Sequence, residues 1–249
     1  VAVAFAAGES GLVHAPTGMG KTLAVAVPAM TLGPEGAPGA PPPLTLLWIT
    51  PLRALAADTG LALERAAAAL RPHWSIDVRT GDTASGARAR QQLRLPTALV
   101  TTPESLTLFL SRPDWRERFA YLGAIVVDEW HELLSTKRGV QVELALARLR
   151  TLRSAIPTWG LSATLANLDQ ALECLVGVRA AHVSPRRARI VKGIEPKTIE
   201  IASALPPTME RFPWATDSRC SRRRGYRCRS AISAACSRRP ASSATFCRG

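Results

Sequence analysis

Read for period alone, the chain alternates between two kinds of segment. Short apolar runs at Ser10–His14, Leu44–Thr50, Ala98–Thr101, Leu122–Asp128 and Thr158–Ser162, and the alternating Ser75–Thr80, have the length and character of strands. Helical periods lie between them. Lys21–Leu32 reads as one helix. Leu52, Leu55, Thr59, Leu63, Ala66 and Leu70 recur at helical spacing and predict the inner face of a second. Pro103 suits the first position of a third. Val142, Leu146, Leu149 and Leu152 mark a further inner face, with Glu143, Arg150 and Arg153 opposite it. Strands alternating with helices predict an α/β fold with a mostly parallel sheet and helices on both faces. In such folds ligands bind beyond the carboxyl ends of the strands.

Two stretches break the pattern. The run Gly33-Pro34-Glu35-Gly36-Ala37-Pro38-Gly39-Ala40-Pro41-Pro42-Pro43 is too rich in proline and glycine for a helix or central strand, so it is expected as a surface loop. After Trp214 the chain turns to Arg, Ser, Ala and Cys without period. Of the net charge of +13, residues 215–249 carry nine Arg against one acid, Asp217, which leaves +5 for the rest. Cys220, Cys228, Cys236 and Cys247 also lie there, without CxxC pairing for zinc, and Cys174 is the one cysteine of the body. That usage points to a reducing compartment. A basic arm for phosphates, a solvated linker and an out-of-frame translation of a GC-rich gene compete for this tail, and the abrupt break favours the last. The N-terminal Val1–Ala7 is apolar, short, without a basic flank and without Met. It is expected as the cut edge of a longer protein, with a processed mature terminus as the alternative. No apolar run reaches the ~18 residues of a membrane span.

Candidate chemistry gathers at the predicted strand ends. Ala15-Pro16-Thr17-Gly18-Met19-Gly20-Lys21-Thr22 follows a strand and opens a helix, the setting of a phosphate-binding loop, with Ala15 in the place of the usual first glycine. Its glycines allow backbone N–H groups to face a phosphate, and the helix start adds partial positive charge. Lys21 is placed for the β and γ phosphates and Thr22 for Mg²⁺. Asp128-Glu129-Trp130-His131 ends an Ile/Val run: one acid suits a metal and the next suits activation of water. His131-Glu132 is not the start of a zinc-protease HExxH, because Ser135 stands in the last position. Thr50-Pro51-Leu52-Arg53, Thr101-Thr102-Pro103-Glu104 and Ser162-Ala163-Thr164 suit either a sugar-phosphate backbone or plain helix capping. The turns Arg79-Thr80-Gly81-Asp82 and Lys137-Arg138-Gly139 suit nucleic acid or solvent equally.

In this order, APTGMGKT, TPLRAL, TTPE, DEWH and SAT resemble motifs I, Ia, Ib, II and III of superfamily 2 DExH-box helicases. DEWHEL, TPLRAL and KRGVQVELALARL are most similar to the large helicase-related (Lhr) group, in particular its ligase-associated DEXH branch. The resemblance covers roughly residues 8–214 and implies a RecA-like P-loop NTPase domain. It implies that Thr17, Gly18, Met19, Gly20, Lys21 and Thr22 bind ATP, that Thr22 and Asp128 hold Mg²⁺ and that Glu129 activates water. His131, Ser162 and Thr164 would couple nucleotide state to movement, and Pro51, Arg53, Thr101, Thr102 and Arg138 would touch a DNA strand. Trp130 is expected to pack.

The domain organisation expected is a RecA-like domain over residues 1–180, an extension at 181–214 toward a second such domain, and the tail at 215–249. The adenine-reading region upstream of Gly8 and the second motif set are not found in the chain, so it is expected to be an incomplete motor. The function implied is ATP-dependent translocation on single-stranded or partly duplex DNA, or a DNA–RNA hybrid. A DNA-repair ligase or nuclease is a candidate partner, and the bacterial cytoplasm with its nucleoid is the expected location. A duplex-DNA translocase or restriction-type motor subunit, and a non-catalytic nucleic-acid-binding remnant of a broken gene, are the rivals. Translating the gene in its other two frames tests the tail. A folded pattern is expected to continue past Trp214 in one of them, and two patternless frames would rule out the frameshift.

Overall fold

The computed structural model describes residues 1–33, 42–177 and 188–193. Most of the Pro/Gly run (residues 34–41) and the whole of the tail lie outside the described residues. The strands are β1 (Ser10–His14), β2 (Leu46–Ile49), β3 (Ile76–Arg79), β4 (Ala98–Thr101), β5 (Ala124–Val127), β6 (Thr158–Ser162) and β7 (Ala188–Lys192). They form one sheet in the order β3-β4-β2-β5-β6-β1-β7, and every pair is parallel. The predicted α/β parallel architecture is therefore the observed one.

The continuous apolar runs follow from burial on both faces. Leu47, Ile49, Leu99, Ile125 and Val127 point into one core, and Leu46, Trp48, Ala98, Val100 and Val126 point into the other. The first core is covered by α5 (Pro103–Leu110), α6 (Trp115–Arg118), α7 (Trp130–Leu133), α8 (Lys137–Arg150) and α9 (Leu168–Val176). The second is covered by α1 (Ala2–Ala6), α2 (Lys21–Thr31) and α3 (Arg53–Leu70). A further helix, α4 (Ser85–Leu93), follows β3. It is short and polar, and like α1 and α9 it was not foreseen.

Three expectations change. The inner face of α3 is Ala56, Thr59, Gly60, Leu63 and Ala67, while Leu52 and Leu70 are exposed. The helix runs so close to the sheet that a Cβ on Gly60 would lie 2.6 Å from Val78 Cγ2. Small residues therefore turn inward and the leucine stripe turns partly outward. Arg150, expected on a solvent face, is half-buried and donates to the Leu175 carbonyl. The boundary at residue 180 also moves, because β7 falls in the expected extension yet pairs with β1 along its whole length.

The helix start after the DEWH segment has its own constraint. Thr136 caps α8, accepting from the Gly139 N–H at 3.1 Å. A Cβ on Gly139 would stand 2.0 Å from the Leu133 carbonyl oxygen. Alanine normally stabilises a helix by about 1 kcal/mol relative to glycine. Here the sign is expected to reverse: Gly139→Ala should destabilise the fold by about 1–3 kcal/mol through overpacking, read as a lower thermal unfolding midpoint.

Candidate functional site

The sheet order brings the candidate motifs together. β6 lies between β5 and β1, so the segments following these three strands emerge side by side at one edge of the sheet. After β1 the chain turns through Ala15–Gly20 into α2. Gly18 (φ +83°) and Gly20 (φ +72°) occupy the left-handed region, while a Cβ on either would meet no atom within 4 Å. The glycines are thus required by backbone conformation, not by space. The Ala15 N–H donates to the Ser162 carbonyl at 3.1 Å, which ties the loop to β6. Lys21 is buried, and its ammonium folds back to donate to the Ala15 carbonyl at 2.7 Å and the Pro16 carbonyl at 3.2 Å.

Facing this loop are the acids that follow β5. A cavity of about 420 Å³ has Thr17, Gly18, Gly20, Lys21 and Thr22 on one side, Asp128 and Glu129 on another, and Leu55, Asp58, Thr59 and Ala62 of α3 as a third wall. Met19, exposed, is the one loop position from Thr17 to Thr22 that does not line it. The α3 wall was not legible beforehand, because it depends on how closely that helix approaches the sheet.

Asp128 is 8% exposed. Its Oδ2 accepts from the Trp48 indole N–H at 3.3 Å and its Oδ1 from the Glu129 backbone N–H at 2.9 Å. Burial pushes its carboxyl above the ordinary aspartate range, and the neighbouring Glu129 charge adds to this. The Trp48 bond, the Glu129 N–H and the Lys21 ammonium oppose the shift without cancelling it. Trp48 was not among the foreseen residues; a tryptophan in an apolar strand gives no sign in the sequence of where its N–H points. Glu129 adopts the left-handed region (φ 44°, ψ 48°), a conformation that costs a non-glycine residue about 1–3 kcal/mol. Its Oε2 is buried without a hydrogen-bond donor and lies 3.4 Å from His131 Nδ1. The same Nδ1 is 3.2 Å from Ser162 Oγ, and Nε2 is 3.4 Å from Glu132 Oε1. A polar chain therefore runs from Glu129 through His131 to Ser162, joining β5 to β6. Thr164 is exposed beyond it. Trp130 packs as expected: it is fully buried and donates to the Ala171 carbonyl at 2.9 Å.

The residues fit a magnesium nucleotide better than a metal caged by protein alone. Among the described residues no cluster of three or more His, Cys, Asp or Glu could hold a metal ion. A hydroxyl at Thr22, a carboxylate at Asp128 and an adjacent undonated Glu129 oxygen instead suit Mg²⁺ that keeps water and phosphate ligands.

Of the candidate strand-contacting residues, Pro51, Arg53, Thr101 and Thr102 lie at the ends of β2 and β4, on the other side of β5, and Arg138 lies in α8; they divide. Arg53 is exposed, pairs with Asp82 at 2.7 Å and lies over Gly81, which joins it to the Arg79–Asp82 turn. Arg138 donates to both oxygens of Glu104 at 2.6 and 3.2 Å. Burial opposes, but this pairing holds the Glu104 carboxyl below its ordinary range. The expectation of contact changes for Pro51, Thr101 and Thr102, all buried. The Thr101 hydroxyl donates to the Arg79 carbonyl and that of Thr102 to Ser105 Oγ, so both serve internal bonds.

Comparison with known proteins agrees with this geometry. The family model described as DEAD/DEAH box helicase matches residues 1–171. The chain is 34% identical over 212 residues to the ATP-dependent helicase Lhr-Core of Methanothermobacter thermautotrophicus, an alignment covering 80% of this chain and 24% of that protein. It is 35% identical over 184 residues to ATP-dependent helicase Lhr-Core protein 2 of Thermococcus barophilus, covering 68% and 21%. The structure of Mycobacterium smegmatis helicase Lhr bound to ssDNA and AMP-PNP superposes with a TM-score of 0.67 at 31% identity, covering 80% of this chain and 25% of that one. The chain thus spans a quarter or less of the length of these relatives.

The buried Asp128 has a measurable consequence. Its folded-state pKa is raised, so the native state binds its proton more tightly than the unfolded state does, and this contribution to stability falls as pH rises from the unfolded value toward the folded one. Asp128→Asn abolishes that dependence. In urea unfolding across a pH series, the stability of the Asn variant relative to the parent is expected to increase from acid to neutral pH. A constant difference would contradict the assignment.

Proposed function

The chain belongs to the DEAD/DEAH box helicase family, and from that premise we propose that it forms an ATP-binding motor domain of an Lhr-type, ATP-dependent DNA helicase or translocase acting on single-stranded DNA. The observation that carries the reading is the shared cavity: a phosphate-type loop with its lysine on one wall and an acidic pair on the other.

The chemistry proposed is in-line attack of water on the γ-phosphorus of ATP, with the bond from that phosphorus to the β–γ bridging oxygen breaking and ADP leaving. Lys21, which donates to the Ala15 and Pro16 carbonyls of its own loop, would turn its ammonium to phosphate oxygens. Thr22 and Asp128 would hold Mg²⁺, which when bound neutralises charge on the transferred group. Glu129 takes the proton of the attacking water, and its undonated buried oxygen suits that role. His131, touching both Glu129 and Ser162, passes a change at the nucleotide to β6. Arg53 and Arg138 mark the surface along which a DNA strand would lie, supported by the ssDNA-bound Mycobacterium smegmatis relative. Lys21 is the one cation that lines the cavity among the described residues.

Binding of a fluorescent AMP-PNP analogue and ATP turnover test the reading. Lys21→Ala should weaken nucleotide binding at least about tenfold, the loss of a charge-assisted contact, while leaving DNA affinity intact. Glu129→Gln should bind nucleotide yet lose turnover. Unchanged nucleotide binding by the Lys21 variant would refute the site, and undiminished turnover by the Glu129 variant would refute the role given to that residue.

A further inference from the structure

Trp48 is fully buried in β2 among Leu46, Ala98, Val100 and Val126, neighbours that a phenylalanine would satisfy as well. What tryptophan adds is a donor, and that donor is directed at the end of the next strand. Register pairs Trp48 with Val126, so Asp128 stands two residues further along β5 on the same face. Only a long side chain spans such a diagonal, and the indole N–H does so, donating to Asp128 Oδ2 at 3.3 Å. The other carboxylate oxygen accepts from the Glu129 N–H at 2.9 Å. With one donor on each oxygen, one from the β2 side chain and one from the backbone just after β5, the plane of the carboxylate is set by the protein itself. The same core holds a built-in comparison. Trp159 of β6 is equally buried, and its indole N–H has no hydrogen-bond partner.

We propose that Trp48 is a positioning residue, whose indole N–H orients the Asp128 carboxylate toward the divalent cation that accompanies the nucleotide. The proposal rests on the nucleotide reading given above. Partners that orient a metal's ligands typically alter metal affinity 10- to 100-fold when removed, and a donor lost from a buried carboxylate leaves it free to turn away from the cation.

The test is Mg²⁺ titration of the 249-residue chain in the presence of a fluorescent AMP-PNP analogue, for the parent, Trp48→Phe, Trp159→Phe, Asp128→Asn and the double variant. Trp48→Phe is expected to raise the Mg²⁺ concentration at half-maximal nucleotide binding about tenfold or more, with nucleotide binding in EDTA unchanged. Trp159→Phe loses the same bulk and no paired donor, so its Mg²⁺ midpoint should match the parent. In the Asp128→Asn background the Trp48 substitution should add nothing. Should Trp48→Phe fail to fold, the benzothienyl isostere of tryptophan at position 48 keeps the bicyclic bulk and lacks the N–H. An unmoved Mg²⁺ midpoint, or equal shifts in the two tryptophan variants, overturns the proposal and leaves only packing. Absence of Mg²⁺-dependent nucleotide binding in the parent instead overturns the nucleotide reading, and this proposal with it.

Discussion

The site depends on β6 lying between β1 and β5. Parallel pairing sends all three carboxyl ends the same way, and two polar links hold those ends together. The Ala15 N–H bonds the Ser162 carbonyl on one side, and His131 meets the Ser162 hydroxyl on the other. Ser162 is thus held from both neighbours, by its backbone and by its side chain. A glycine-rich turn and an acidic pair far apart in sequence become two walls of one cavity because this strand fixes their separation. The order also segregates tasks. The loop after β1 and the acids after β5 face the cavity with α3, which follows β2, as its third wall, while the Arg53–Asp82 and Arg138–Glu104 ion pairs do not line it.

The electrostatics of the cavity come at a cost in stability. Asp128 is buried and its carboxyl is pushed up, yet it keeps a donor on each oxygen. Lys21 is buried with its charge parked on two carbonyls of its own loop. Glu129 stays in a strained backbone conformation with one oxygen undonated. Each of these would be relaxed by an ordinary core residue, and strain of this kind is retained where surrounding structure and chemistry require it. Under the proposed function, a divalent cation and a polyphosphate would add counter-charges to these groups.

Much of this was legible in the residues. The strands Ser10–His14, Ala98–Thr101 and Thr158–Ser162 were read with their observed bounds, since a buried parallel strand shows as an unbroken apolar run and a turn residue ends it. Lys21, Asp128, Glu129 and His131 were singled out as candidates because phosphate and water chemistry demand particular residue types beside a strand end, and the fold brings them together. The weaker readings share one cause, namely that side-chain direction is a tertiary property. Thr101 and Thr102 suited a phosphate strand or a cap, and in the fold their hydroxyls bond inward. Arg150 had the charge of a surface residue, and packing against α9 drew it to a carbonyl.

The residue pattern by itself determined the α/β class and the parallel sheet and singled out the glycine-rich turn and acidic pair as candidates, because period, glycine placement and charge are local quantities that the chain carries in any conformation. Tertiary structure alone decided the strand order, the small-residue face of α3 with its cavity wall, the inclusion of β7 in the sheet and the bond from Trp48 to Asp128. Each of these is set by how closely two distant segments approach, and such distances exist only once both faces of the sheet are packed.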